Sequence, residues 1–121
     1  MTVQEFYTAI GGNYNEAKSR LMTDALILKF VSKFPADPNF ALLEKALAAD
    51  DPDAAFSASH TLKGVCLNLA FARLASAAVT LTDALREQNR ASWQKETGTS
   101  LFAQVKTEYE AVLKEIGSLG V

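Results

Sequence analysis

Every long stretch of this chain repeats its apolar residues at steps of three and four, and none alternates them at every second position. Ile27, Phe30, Val31 and Phe34 form one such stripe. Leu74, Ala77, Ala78, Leu81, Ala84 and Leu85 form another, and Phe102, Val105, Tyr109, Val112 and Ile116 a third. Ala, Leu, Glu and Lys, which favour helix, are abundant throughout. A chain patterned in this way buries its apolar residues as helices packed on helices, so the expected fold is all-α.

Caps and breakers divide the pattern. Thr2 can cap a first short helix carrying Val3, Phe6, Tyr7 and Ile10, and Gly11-Gly12 stops it. Asn13 or Asn15 offers the next start and Thr23-Asp24 another, so residues 13 to 34 read as one helix or two. Phe34 to Asn39 is a connector, because Pro35 and Pro38 each disfavour helix in the preceding residue. Asp37 as cap and Pro38 at a first helical position then open a short helix with Phe40, Leu43 and Leu47 inward. Asp50-Asp51-Pro52-Asp53 repeats that device before a central helix reaching about Leu69. A helix from Phe71 to about Asn89 follows, then a turn with Ser92 as a cap, then the last helix, which Gly98 is expected to break or delay. Short connections favour antiparallel neighbours. The expected architecture is an antiparallel four-helix bundle with short additional N-terminal helices, one domain over residues 1–121.

With 121 residues the chain can build a core without staples. Its net charge of −2 and the absence of a Lys/Arg stripe argue against nucleic acid as a partner. No apolar run approaches the roughly 18 residues that span a bilayer, and the N-terminus lacks the pattern of a signal peptide. Cys66 stands alone, which excludes an intrachain disulfide, and one Cys with one His excludes the usual zinc sites. A monomeric, cytoplasmic protein with no cofactor and no membrane contact is the expectation.

The only histidine, His60, lies in the central helix. Advancing about 100° per residue from it puts Ala55, Ala58, Leu62, Cys66 and Leu69 on the opposite, core-facing side. Lys63 at i+3 and Gly64 at i+4 share the histidine's face, with Ser57 and Asp53 a turn or two back. Phe56 and Leu67 fall within about 40° of His60 although they are apolar, so they pack on a neighbouring helix or rim the histidine. Most lone surface histidines and lysines carry no special role. Gly64 asks more of an explanation, because glycine inside a helix costs about 1 kcal/mol against alanine. Close helix packing and access for a second protein explain it equally well. Cys66 reads as a small core residue.

The run Ala58-Ser59-His60-Thr61-Leu62-Lys63-Gly64, followed by Asn68-Leu69, resembles the signature of histidine-containing phosphotransfer (HPt) domains, which carry His-x-Leu-Lys-Gly on a helix of a four-helix bundle. The resemblance runs from about Leu26 to Arg86. It implies that His60 accepts a phosphoryl group, that Lys63 balances its charge and that Gly64 admits the partner, with Phe56, Ser57 and Leu67 around the docking site. The implied partners are a response-regulator receiver domain and a hybrid sensor kinase, and the receiver brings the aspartate and the divalent metal. An exposed imidazole near pH 7 is largely neutral and nucleophilic, which suits this role. No nucleotide-binding pattern accompanies the histidine, so no kinase activity of the chain's own is expected. The sequence departs from the family at Ala70, where a glycine is usual. A left-handed residue there would be costly, so Asn68 or a different turn is expected to end the helix. A helical interaction module with an incidental His60 is the alternative. An enzyme using His60 as general base comes last, because Lys63 orients imidazole poorly and a convex helix offers no pocket.

Overall fold

The computed structural model describes residues 1–120, in which there are seven α-helices and no strand. They are α1 (Val3–Ala9), α2 (Tyr14–Leu21), α3 (Asp24–Lys33), α4 (Asn39–Ala48), α5 (Pro52–Asn68), α6 (Ala72–Leu85) and α7 (Lys95–Leu119). The last four form the bundle: α4 packs beside α5, α5 beside α6, α6 beside α7, and α7 closes the ring on α4. The expected all-α bundle with short N-terminal helices is the observed one.

Local chemistry sets most of the boundaries. Thr2 and Glu5 exchange side-chain and backbone hydrogen bonds in a capping box that starts α1. Gly11, at φ +66°, ends the helical region, and Asn13 caps α2. Residues 13 to 34 are two helices, because Met22 turns to φ 73° and the Thr23 hydroxyl then caps α3. Asp51 caps α5, with Pro52 at its first position.

Four expectations need correction. The N-cap of α4 is Pro38 itself, one residue later than expected, and Asp37 instead accepts from the Asn39 backbone at 2.9 Å. Helix α6 stops at Leu85 rather than near Asn89. Its last carbonyls are taken by side chains, Asn89 Nδ2 donating to Asp83 O and Arg90 Nε to Leu85 O, both at 2.7 Å. Arg90 also reaches Asp53 at 2.7 Å and so ties this turn to the start of α5. Ser92 does not cap α7: its hydroxyl bonds Asn89 O, and Gln94 takes the cap position without a side-chain bond. Gly98 does not interrupt α7. It is buried under Trp93, and a Cβ there would collide with Cζ2 and Cη2 of the indole. The glycine that looked like a helix breaker is the seat of the only tryptophan.

The end of α5 is also unlike the expectation. Ala70 itself adopts φ 58°, and Phe71 N–H bonds Cys66 O at 2.9 Å across the turn. The left-handed alanine costs about 1 kcal/mol, offset by what the turn gathers. Asn13 N–H donates to Ala70 O at 2.9 Å and Arg73 N–H to Gly11 O at 3.2 Å. Gly12 permits this approach, since a Cβ there would meet Ala70 O at 2.9 Å. The Tyr7 hydroxyl donates to Leu69 O at 2.8 Å, and Arg20 Nη1 donates to the Leu67 carbonyl. The N-terminal helices therefore fasten the C-terminal end of α5, which carries no basic residue in its own last turn.

The core collects the expected stripes. Phe6, Tyr7, Ile27, Val31, Leu43, Leu62, Leu74, Leu81 and Val105 are essentially inaccessible. Phe40 stacks on Tyr109, ring centroids 4.0 Å apart, which welds α4 to α7. Phe30 departs from its stripe and stays 40 % exposed, while Ile27, Val31 and Phe34 carry the burial. Cys66 is fully enclosed, and burial pushes its thiol up to about 12.

Two outcomes follow. Gly98→Leu should displace Trp93, red-shift the emission of the single tryptophan and cost about 1–3 kcal/mol in urea unfolding; native emission and stability would contradict the packing. Cys66 should resist iodoacetamide in the folded protein and react only once urea unfolds the chain; rapid native alkylation would contradict its enclosure.

Candidate functional site

Helix α5 divides into two sides as its periodicity predicts. Ala55, Ala58, Leu62, Cys66 and Leu69 are buried, and burying Leu62 alone is worth about 2 kcal/mol. Small residues on this stripe let α4 and α6 approach closely. His60, Ser57 and Gly64 are exposed on the other side, and Lys63 is half-buried beside them. The bundle thus holds the imidazole in the open by burying what lies behind it.

The apolar neighbours divide between the two alternatives. Phe56 is half-buried and stacks on His60, ring centroids 5.7 Å apart and planes 19° from parallel. It limits the rotation of the imidazole from one turn below. Leu67 is 47 % exposed, an apolar rim on the far side. Ser57 makes its helical contribution through its carbonyl, which accepts from Thr61 Oγ1 at 3.0 Å. Asp53 is drawn away by its ion pair with Arg90.

Gly64 is decisive. Nothing lies within 4 Å of the position a Cβ would take, so helix packing within this chain does not require a glycine there. Close helix packing, one of the two explanations for it, is thereby removed. No carboxylate among the described residues pairs with Lys63, which leaves its charge available.

Three features escaped the sequence reading. Arg86, at the C-terminal cap of α6, lays its guanidinium 5.7 Å from the Phe56 ring centroid while Nε bonds Asp83 at 3.0 Å. A second cation therefore stands on the aromatic that stacks on His60. It was visible only as a basic residue after the α6 stripe, since its partner is 30 positions away in sequence. Ser59, next to the histidine, is fully buried and its hydroxyl lies 2.6 Å from that of Thr82 on α6. Finally, Leu26 and Phe30 form an exposed apolar line on α3, one helical turn apart, and Met22 in the turn before that helix is exposed as well. Phe30 and Val65 line one shallow depression, which brings the end of this line against α5.

The site is convex. None of the five most pronounced depressions takes in His60. Among the described residues no group of three or more His, Cys, Asp and Glu is placed to hold a metal ion, and no helix is long and apolar enough to cross a membrane. What remains is an exposed imidazole on a packed helix, with Lys63 on its face, Arg86 over the ring it stacks on, and a glycine one turn on.

No curated protein and no solved structure matches this chain. A family model does: the Hpt domain matches residues 34–115, from the connector before α4 to the last turns of α7. That span contains α4, α5 with His60, α6 and most of α7, and on that match the chain belongs to the Hpt domain family, the phosphotransfer modules of two-component systems.

Proposed function

We propose that this protein is a phosphorelay intermediate that accepts a phosphoryl group on His60 from the aspartyl phosphate of a receiver domain and passes it to a second receiver. The observation that carries the reading is Gly64, an exposed helix-interior glycine with empty space around it, one turn from the only histidine. A residue that weakens its own helix and serves no internal packing is explained by a partner that must come close.

The chemistry asks little of this chain. A lone pair on one imidazole nitrogen attacks phosphorus, the N–P bond forms, and the P–O bond to the partner's aspartate breaks with its electrons leaving on the carboxylate. Transfer in the other direction reverses these events. Phosphoryl transfer depends on positioning and charge stabilisation more than on covalent help. Phe56 stacked on the ring supports the positioning. Lys63 and Arg86 supply cations against the roughly two negative charges of the product. The receiver brings the aspartate and a divalent metal, and the hybrid sensor kinase of such a relay is the expected upstream partner. The exposed side chains of Leu67, Met22, Leu26 and Phe30 offer the apolar contact a docking interface uses. In this reading the chain is a cytoplasmic, monomeric phosphoprotein with no nucleotide site.

The first test is uptake of label from a phosphorylated receiver domain. The native chain should be labelled and His60→Gln should not; labelling of the variant would overturn the assignment. The second separates stability from transfer. Gly64→Ala should raise stability by up to about 1 kcal/mol, as alanine is the better helix former. Gly64→Gln should remain folded yet slow transfer by about tenfold or more, because misplacing the reacting groups by a fraction of an ångström is costly. Gly117, equally open but on the last turns of α7, is the control: Gly117→Ala should leave transfer unchanged. Native transfer by Gly64→Gln would remove the steric role.

A further inference from the structure

Apart from the tyrosine hydroxyls and the Cys66 thiol, Ser59 and Thr82 carry the only buried polar side chains among the described residues, and they are paired with each other. The Thr82 hydroxyl donates to Ala78 O at 2.6 Å, so its single proton is spent within α6. The Ser59 hydroxyl, 2.6 Å away, is therefore the donor and Thr82 Oγ1 the acceptor. A chain of two hydrogen bonds runs from α5 into α6 and ends on the α6 backbone.

The buried residues of α5 and α6 besides this pair are apolar, among them Leu62, Cys66, Leu74, Ala75, Ala78 and Leu81. Close packing holds the two helices together, and a hydrogen bond adds a directional constraint between two particular positions that apolar surfaces lack. A directed hydrogen bond between single positions does set register, as a lone buried polar contact does between paired helices.

Its location gives the register a consequence. Ser59 precedes His60, on the flank of α5 that also carries Phe56 and Lys63. Thr82 precedes Arg86 by one helical turn, so the two share a face of α6. Arg86 lies over Phe56, and Phe56 stacks on His60. The hydroxyl pair thus ties the two helices one turn from Arg86, whose Nε is held by Asp83, and three residues from Phe56.

We propose that the Ser59–Thr82 hydrogen bond is a positioning device: it sets the register of α6 against α5 so that the Arg86 cation stands over Phe56, the ring that stacks on His60. Neither hydroxyl touches the reacting atoms, and both act through Arg86. The proposal rests on the phosphotransfer reading for its functional meaning, while its structural content stands apart from it.

The test compares Thr82→Val, Thr82→Ser and Arg86→Gln. Valine keeps the shape of threonine without the hydroxyl, and serine keeps the hydroxyl without the methyl. In Thr82→Val the Ser59 hydroxyl can turn back to a carbonyl of its own helix, so the fold survives. Thr82→Val should be at least as stable as Thr82→Ser to heat, yet transfer more slowly, by about tenfold against the native chain. Thr82→Ser should transfer at close to the native rate. Adding Thr82→Val to Arg86→Gln should slow transfer no further, because both remove one contribution. By NMR, the ring-current shift of the Arg86 Hδ protons should be lost in Thr82→Val and kept in Thr82→Ser. Rates that follow stability, effects that multiply, or a native Arg86 shift in Thr82→Val each overturn the proposal. If the native chain accepts no phosphoryl group, the phosphotransfer reading fails instead, and the Arg86 shift still decides the positioning claim.

Discussion

The burial of one side of α5 is the constraint from which the rest of the site follows. Ala55, Ala58, Leu62, Cys66 and Leu69 are packed against the bundle, and a helix held by that stripe has no freedom to turn. Every exposed position is then assigned: His60 outward, Lys63 beside it, Gly64 one turn on. The N-terminal helices serve the same end. Tyr7, Arg20 and Asn13 all bond carbonyls of residues 67 to 70, so the C-terminal end of α5 is clamped where a helix would otherwise fray. A reactive group that must meet a separate protein benefits from a platform this rigid, because positional error translates directly into lost rate.

Gly64 and Thr82 are two departures from simple helix packing. Gly64 weakens its helix and is not required by any internal contact. Gly98 is the opposite case, since an indole fills the space its side chain would need. Composition cannot separate these two glycines; only their surroundings do. Thr82 places a hydroxyl in an apolar core, which is neutral at best unless a partner satisfies it, and Ser59 does so. Gly64 lies one turn from His60, and Thr82 is hydrogen-bonded to the residue that precedes it.

Much of the fold was legible in the sequence because its determinants are local. Caps at Thr2, Asn13, Thr23 and Asp51, the turn at Gly11 and the stripe behind His60 depend on residues within a turn or two of each other. The exposure of His60 followed from periodicity alone. What was not legible depends on distant partners. Ala70 takes a glycine-like conformation because Asn13, some 57 positions earlier, bonds its carbonyl. Helix α6 ends early because Asn89 and Arg90 fold back onto its carbonyls. Arg86 joins the site only through the packing of α6 on α5, and Phe30 leaves its stripe because Ile27, Val31 and Phe34 already fill the core. The family match supplies the chemistry that geometry permits and cannot name.

The central claim is that this exposed, stacked imidazole carries a phosphoryl group on nitrogen, and ³¹P NMR of the folded protein incubated with a phosphorylated receiver domain tests it most directly. The account predicts a single phosphoramidate resonance on the chain that disappears on acidification and persists in base. A resonance that survives acid, as a serine or threonine ester would, or no protein-bound resonance at all, would contradict it.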